Sequence, residues 1–327
     1  MSRSIGRNAG MLASVVLGIL IAGQGHSSLY ATAITVGLYA LLGVPLGLIY
    51  GCGGVLSLAQ AAFAAIGGYT SALLFSHYHL PPEATLLPAI VVPALFAYVI
   101  SRPILRLPEM SMALATLALG LLVEVVFSSS GKITGGYEGV TALPPIPMVG
   151  NSRIGVLLLV WSAVIACVYC YDAFRASARG RALIAIHVDR LLAESVGIPV
   201  ARELSLLFAI TAGISGFVGW LYAHYLGYIG PSSLNVHLSA NLLFMVVVGG
   251  RKYSLGPVLG AAFFVFAGDW IPGSAQAHGM VFGALIVLVL LLVPEGLLSL
   301  LQSKLPWKRM ASRPIPQASR LSPEQSL

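Results

Sequence analysis

Apolar runs near 20 residues, about the length that crosses a bilayer, recur along this chain between short polar breaks. They predict helices at about 29–50, 56–76, 84–101, 110–128, 154–172, 204–228, 237–249, 255–271 and 279–298, the one at 237–249 short and broken or re-entrant. A further run, Met11–Ala22, follows Arg3 and Arg7 and fits either a cleaved signal peptide or a short first span. The span is favoured because it gives an even count. The expected fold class is therefore all-α: a polytopic helical membrane protein of about ten transmembrane segments, both ends cytoplasmic. Residues 1–303 form the membrane domain, with a cytoplasmic loop at 173–203. The tail 304–327, rich in Pro, Ser and Arg, is expected to be disordered.

The longest polar interruption runs from Asp172 to Leu204. RALIAIH reads as one short helical piece. Asp189 then caps a second, RLLAESV, which Gly197 stops, with Pro199 two residues beyond. Ile184, Val188, Leu191 and Ser195 recur at spacings of three or four and make one face apolar and small, while Arg181, Arg190 and Glu194 point elsewhere. Such a segment is either an amphipathic connector on the membrane surface or a docking helix for a partner's groove.

Composition agrees with the pattern. The 327 residues are 57% hydrophobic and 9% charged, against about 25% charged in soluble domains. The net charge of +7 raises nucleic acid as a partner, and the positions of the charges remove it. With the N-terminus inside, 16 of the 18 Lys and Arg residues fall in cytoplasmic segments, and only Lys132 and Arg153 lie outside, in one long external loop. That is the positive-inside bias of a membrane protein. Cys52, Cys167 and Cys170 lie within or beside apolar runs, which excludes a disulfide framework, and the C-x-x-C of the last two has no companion ligands.

Inside the spans, Gly51, Gly53 and Gly54 interrupt GLIYGCGGVLSLAQAAFAAIGGYTSALL, either as a tight turn or as irregular backbone along a substrate path. Polarity within spans nominates Ser57, Gln60, Tyr69, Thr116 and Glu124 as path residues, each of them also a candidate for packing or hydrogen bonding. Gly43, Gly47, Gly51, the pair Gly256 and Gly260, and the pair Gly279 and Gly283 give G-x-x-x-G spacings read as helix packing. GGVLSL at 53–58 and GGRKYSL at 249–255 hint at an internal repeat. His224 and His237 flank an external loop, where an interfacial role is expected. No phosphate-binding loop, metal-ligand cluster, catalytic constellation or voltage-sensor arginine series is present, so neither catalytic nor metal residues are expected.

A membrane protein with no energy-coupling motif but a capped helical cytoplasmic loop resembles the permease subunits of ATP-binding-cassette importers. The segments ATLALGLLVEVV, ITGGYEGVTALP, GRALIAIHVDRLLAESVGI, FAITAGISGFVGWLYAHYLGYIGPSS, LLFMVVVGGRKYSLGPVLGAA and LVPEGL, with the Gly-broken stretch above, narrow this to branched-chain amino acid permeases of the LivM type, over residues 36–300. AESVGI is similar to the importer loop pattern E-A-x-x-x-G-I, with Glu194, Gly197 and Ile198 in matching places. The resemblance implies that Arg181, Asp189, Arg190, Glu194, Gly197 and Ile198 dock onto a separate ATPase. It also implies two ATP-binding subunits, a second related permease, and a periplasmic or extracellular substrate-binding protein. The chain itself would sit in the bacterial inner membrane, holding no cofactor because ATP is bound by the partners. It implies leucine, isoleucine or valine as cargo. Where this chain has Ser57-Leu58-Ala59-Gln60, many relatives read G-x-x-S-L-G-H or similar, so the preferred ligand would differ if that segment touches substrate. Urea and short amides are the rival cargo, because related permeases of the same superfamily carry them. A secondary transporter or channel coupled through Glu124 is the alternative of a different class, and an integral membrane enzyme ranks last.

Overall fold

The computed structural model describes residues 27–147, 152–251 and 253–270, with the isolated positions 12, 283 and 297. Ten helices are assigned here: α1 Ser27–Gly53, α2 Gln60–Tyr78, α3 Pro82–Ile104, α4 Glu109–Ser129, α5 Arg153–Ala176, α6 Ala178–Val188, α7 Arg190–Ser195, α8 Val200–Leu226, α9 Val236–Gly249 and α10 Gly256–Trp270. A helical turn at Gly131–Thr134 and a two-residue antiparallel ladder, β1 Val140–Thr141 with β2 Tyr228–Ile229, complete the external side. Eight of the predicted spans are thus found as helices. The runs at 11–22 and 279–298, the Gly279–Gly283 pair and the tail 304–327 lie outside the described residues.

Among those residues, α1, α3, α4, α5 and α8 are long and apolar enough to cross a membrane. At 14 residues, α9 extends only ~21 Å, short of the ~30 Å hydrocarbon layer, while α10 is described as far as Trp270, where the described residues end. The loop expected at 173–203 is tighter than that, because α5 runs on to Ala176 and α8 begins at Val200.

Helices α1, α2 and α8 form the centre, with α3 against α2 and α8, and α5, α9 and α10 around α1. Glycine decides how closely they approach. A Cβ on Gly219 would fall on the carbonyl oxygen of Ala64, and one on Gly67 would strike the backbone of Gly216 and, at 2.7 Å, the carbonyl oxygen of Ala89. Backbone therefore meets backbone where α2, α3 and α8 converge, the device by which membrane helices gain van der Waals contact without a hydrophobic driving force. The G-x-x-x-G pairs do the same elsewhere. Gly43 and Gly47 seat Pro257 of α10, while Gly256 and Gly260 close on Gly249, Gly250 and Met245.

The two GG-containing segments are equivalent in the fold. Each ends a helix with a second glycine at positive φ, Gly54 at +67° and Gly250 at +114°, before a new helix starts. They also touch: the Arg251 guanidinium donates to the Tyr50 hydroxyl at 2.7 Å, and a Cβ on Gly51 would overlap the Arg251 carbonyl oxygen.

His224 is not interfacial. It is 3% exposed near the outer end of α8, with Nδ1 2.7 Å from the Pro144 carbonyl and Nε2 2.8 Å from the Ser71 hydroxyl. A carbonyl can only accept, so Nδ1 carries the proton and Nε2 accepts from Ser71. Ser71 also lies 2.6 Å from Thr85, whose hydroxyl accepts from Trp220 Nε1 at 3.2 Å, so α2, α3, α8 and the external loop share one buried polar network. Sequence position placed this histidine near water; the folded external loop covers it.

Candidate functional site

Two regions carry the candidate residues, and they meet. The first is the broken backbone between α1 and α2. The sequence predicts one helix from about residue 56, but α2 begins only at Gln60, and residues 54–59 are non-helical and buried or half-buried. The physical reason is a set of side-chain acceptors for the amides a helix would have bonded internally. The Leu58 amide donates to Thr116 Oγ1 at 3.0 Å, the Ala59 amide to Ser57 Oγ at 3.4 Å and the Ala61 amide to Ser239 Oγ at 3.0 Å. Irregular backbone inside a membrane is tolerated where it is satisfied in this way within protein.

Helix α4 runs alongside that break. Thr116 holds Leu58, Gly120 faces Val236 and the Leu58 carbonyl, the half-buried Glu124 accepts from the Val236 amide at 3.4 Å, and Phe127 stacks on Tyr69 at 4.1 Å between centroids. These contacts fall on one side of α4 over ~16 Å of its length. The structure thus brings Ser57, Thr116, Glu124 and Tyr69 to one seam, where the starts of α2 and α9 meet α4. Gln60 turns the other way, donating to the Thr211 carbonyl of α8 at 3.4 Å while its own buried carbonyl oxygen has no hydrogen-bond partner among the described residues. Sequence reasoning missed Ser239, Thr211, Gly120 and Phe127, which meet the others only across helices. Asn235, whose side chain accepts from the Leu238 amide at 3.0 Å to cap α9, carries a legible N-cap signal.

The contact made by Glu124 assigns it a task. Its carboxylate sits on the first amide of α9, where the positive end of the helix favours negative charge. Glu124→Gln keeps an acceptor there and is expected to cost only about 0.5–1 kcal/mol. Glu124→Leu strands the Val236 amide and is expected to cost about 1–3 kcal/mol. Thermal unfolding in detergent ranks the two. Loss of all solute uptake in Glu124→Gln at unchanged stability would return Glu124 to a coupling role.

The second region is the cytoplasmic loop. Asp189 caps α7, its carboxylate accepting from the Leu192 amide at 3.0 Å. Gly197, at φ +84°, closes the helix: its amide donates to the Glu194 carbonyl at 3.0 Å, and the Ile198 amide donates to the Ala193 carbonyl at 3.1 Å. Both ends fall where the sequence placed them. The apolar face does not stay continuous, because the chain turns at Asp189. Ile184 packs on the core, whereas Val188, Leu191, Leu192 and Val196 are 80, 79, 61 and 68% exposed.

Arg181 braces the corner between α5 and α6 by donating to the Ala176 carbonyl at 2.7 Å. Arg190 donates to the Leu105 carbonyl at the end of α3 at 3.0 Å and pairs with Glu194 at 3.6 Å. Ile198 packs against the core and anchors the loop's far side. The loop also reaches the broken backbone, since a Cβ on Gly54 would fall on the imidazole of His187 at the end of α6. The docking candidates and the path candidates are therefore mechanically adjacent. Among the described residues no group of three His, Cys, Asp or Glu side chains is placed to hold a metal.

The family profile described as branched-chain amino acid transport system, permease component, matches residues 28–290. The chain is similar to the high-affinity branched-chain amino acid transport system permease protein LivM of Salmonella typhimurium strain LT2, 28% identical over 297 residues, covering 83% of this chain and 70% of that one. It is equally similar to LivM of Escherichia coli strain K12, 28% identical over 302 residues, 84% of this chain and 71% of the relative. It also resembles the LivH permease protein of the same Escherichia coli strain, 25% identical over 281 residues, 80% of this chain and 91% of the relative. No solved structure gives a significant match.

Proposed function

This chain belongs to the permease-component family of branched-chain amino acid transport systems, and on that premise we propose that it is one membrane half of an ATP-driven importer of leucine, isoleucine or valine. The observation that carries the reading is α7: a short helix capped at both ends, presenting the exposed Leu191, Leu192 and Val196 to the cytoplasmic side, uncovered by the other described residues. Large apolar side chains held outward on a rigid, capped turn are suited to a partner's groove rather than to water. The partner proposed is one of two ATP-binding subunits, which supply the nucleotide chemistry for which this sequence has no phosphate-binding loop.

Closure of those subunits would move α7 and α6 together. His187 of α6 abuts Gly54, so the displacement reaches the non-helical segment 54–59 and the seam where α2 and α9 begin beside α4. That seam is the proposed path past Ser57, Thr116, Tyr69 and Glu124. Similarity to both LivM and LivH supports pairing with a second, related permease, and cargo would be delivered by an external binding protein. The basic residues of the cytoplasmic segments support placement in the bacterial inner membrane. A secondary transporter coupled through Glu124 loses its main support, because that carboxylate is engaged with the start of α9.

The test is purification of the tagged chain from native membranes, followed by reconstitution in vesicles with whatever accompanies it. The expected result is co-purified ATP-binding subunits and a second permease, and leucine uptake that needs ATP and ignores collapse of the ion gradient. Gradient-driven uptake by the chain alone would overturn the reading. ATP-driven uptake of urea in place of leucine would keep the machine and change the cargo.

A further inference from the structure

A second feature of the cytoplasmic face is not used by this mechanism. Where α3 ends and α8 begins, a recess of about 320 Å³ is lined by Tyr98, Leu105, Ala201, Ser205 and four arginines, Arg102, Arg106, Arg190 and Arg202. The arginines come from three helices and the turn after α3, so the recess exists only in the folded chain. Among the described residues a single carboxylate, that of Glu194, lies within ion-pair reach of any of them, 3.6 Å from Arg190. Arg102 rests over the Tyr98 ring at 5.0 Å and donates to its hydroxyl at 3.2 Å, which orients the guanidinium without neutralising it. Ser205, 2% exposed, lines the same recess with a hydroxyl that has no hydrogen-bond partner among the described residues. A buried hydroxyl beside a surplus of guanidinium donors calls for an acceptor-rich anion.

We propose that this recess binds the phosphate of an anionic phospholipid of the cytoplasmic leaflet. Phosphate accepts from several guanidinium groups at once, and its negative charge offsets the crowding of four positive ones. The membrane, rather than the solution, is indicated by the helix that leads to the recess. Leu87, Val91, Leu95 and Val99 of α3, at four-residue spacing, are 68, 40, 60 and 66% exposed and form an apolar stripe that arrives at Tyr98 and Arg102. Acyl chains lying along that stripe place the headgroup among the arginines, with the Tyr98 phenol at the depth aromatic residues prefer. A headgroup held there bridges α3, α8 and, through Arg190, the docking helix α7.

The experiment is native mass spectrometry of the detergent-purified, delipidated assembly, titrated separately with phosphatidylglycerol, with phosphatidylcholine of identical chains, and with inorganic phosphate. Phosphatidylglycerol is expected to bind at least about tenfold tighter than phosphatidylcholine, and inorganic phosphate not to displace it at equal concentration. The side chains of Arg106 and Arg202 make no hydrogen bond or ion pair with the other described residues, and their backbone amides bond as before in any variant, so the variant Arg106→Gln with Arg202→Gln should keep its thermal midpoint. It should lose about fivefold in phosphatidylglycerol affinity per arginine, while phosphatidylcholine binding stays the same. Should the double variant not fold, Arg106→Gln alone, a change at an exposed side chain, supplies the comparison. Equal binding of the two lipids, or an unchanged double variant, would overturn the proposal. Displacement by inorganic phosphate would assign the recess to a soluble anion instead. Loss of a co-purified protein with lipid binding intact would make it a protein contact, and either result also overturns it.

Discussion

Gly219→Ala should prevent the chain from accumulating as a folded protein, although it adds one methyl group. The added carbon would land on the Ala64 carbonyl oxygen and 3.0 Å from the Gly68 amide nitrogen, both of them α2 backbone. No side chain can rotate away, so α8 and α2 must separate. That separation opens the junction of Gly67, Gly216 and Ala89 with α3, and the buried network of Ser71, Thr85, Trp220 and His224 lies close beside it. Overpacking usually costs about 1–3 kcal/mol, and a rigid backbone collision across the central helices belongs at or beyond the top of that range. The checks are the yield of monodisperse protein in detergent and its thermal midpoint. Gly268→Ala, whose added carbon would meet no atom of the described residues within 4 Å, is the matched control and should be neutral. A Gly219→Ala protein as stable as that control would refute the backbone packing described.

The second large effect is expected at the docking helix and should leave the fold untouched. Leu191→Ser combined with Val196→Ser removes two side chains that are 79 and 68% exposed. The permease alone should unfold at the same temperature as the parent. Burying side chains of this size is worth about 1.5–3 kcal/mol each, so their loss should weaken ATPase binding by more than about a hundredfold and abolish ATP-driven uptake. Co-purification and uptake measured on one preparation separate this from a folding defect. Undiminished retention of the ATPase would mean that α7 is a connector. Gly197→Ala supplies a milder comparison. Its added carbon meets none of the described residues within 4 Å, so within the permease it costs the strain of a positive φ, about 1 kcal/mol.

The predictions rest on different kinds of legibility. The spans were written in the apolar runs, because every backbone group in a bilayer must be bonded within its own helix and the sequence has to supply about 20 apolar residues to do it. The ends of α7 were equally plain, since Asp189 and Gly197 act on amides and carbonyls a few residues away. Membership of the permease family followed from several such local segments in order.

What the sequence could not decide is where separate helices come together. Gly67, Gly68, Gly216 and Gly219 do not form the G-x-x-x-G spacing, yet they allow an approach as close as that at Gly256 and Gly260, because contact between helices depends on which faces meet and not on spacing within one. Ser57, Thr116, Tyr69 and Glu124 were picked out by polarity. Only the tertiary structure aligned them along α4, turned Gln60 toward α8 and gave Glu124 to the start of α9. The late start of α2 has the same cause: acceptors 58 and 178 residues away, on Thr116 and Ser239, bond the amides of the non-helical backbone. The sequence by itself determined what a helix can satisfy within its own length: spans, caps and sidedness. The fold decided what needs a second helix: close packing, the broken segment, the seam and the arginine recess. Local hydrogen bonding and hydrophobicity act over a few residues of chain, whereas these features depend on groups that only folding brings within contact distance.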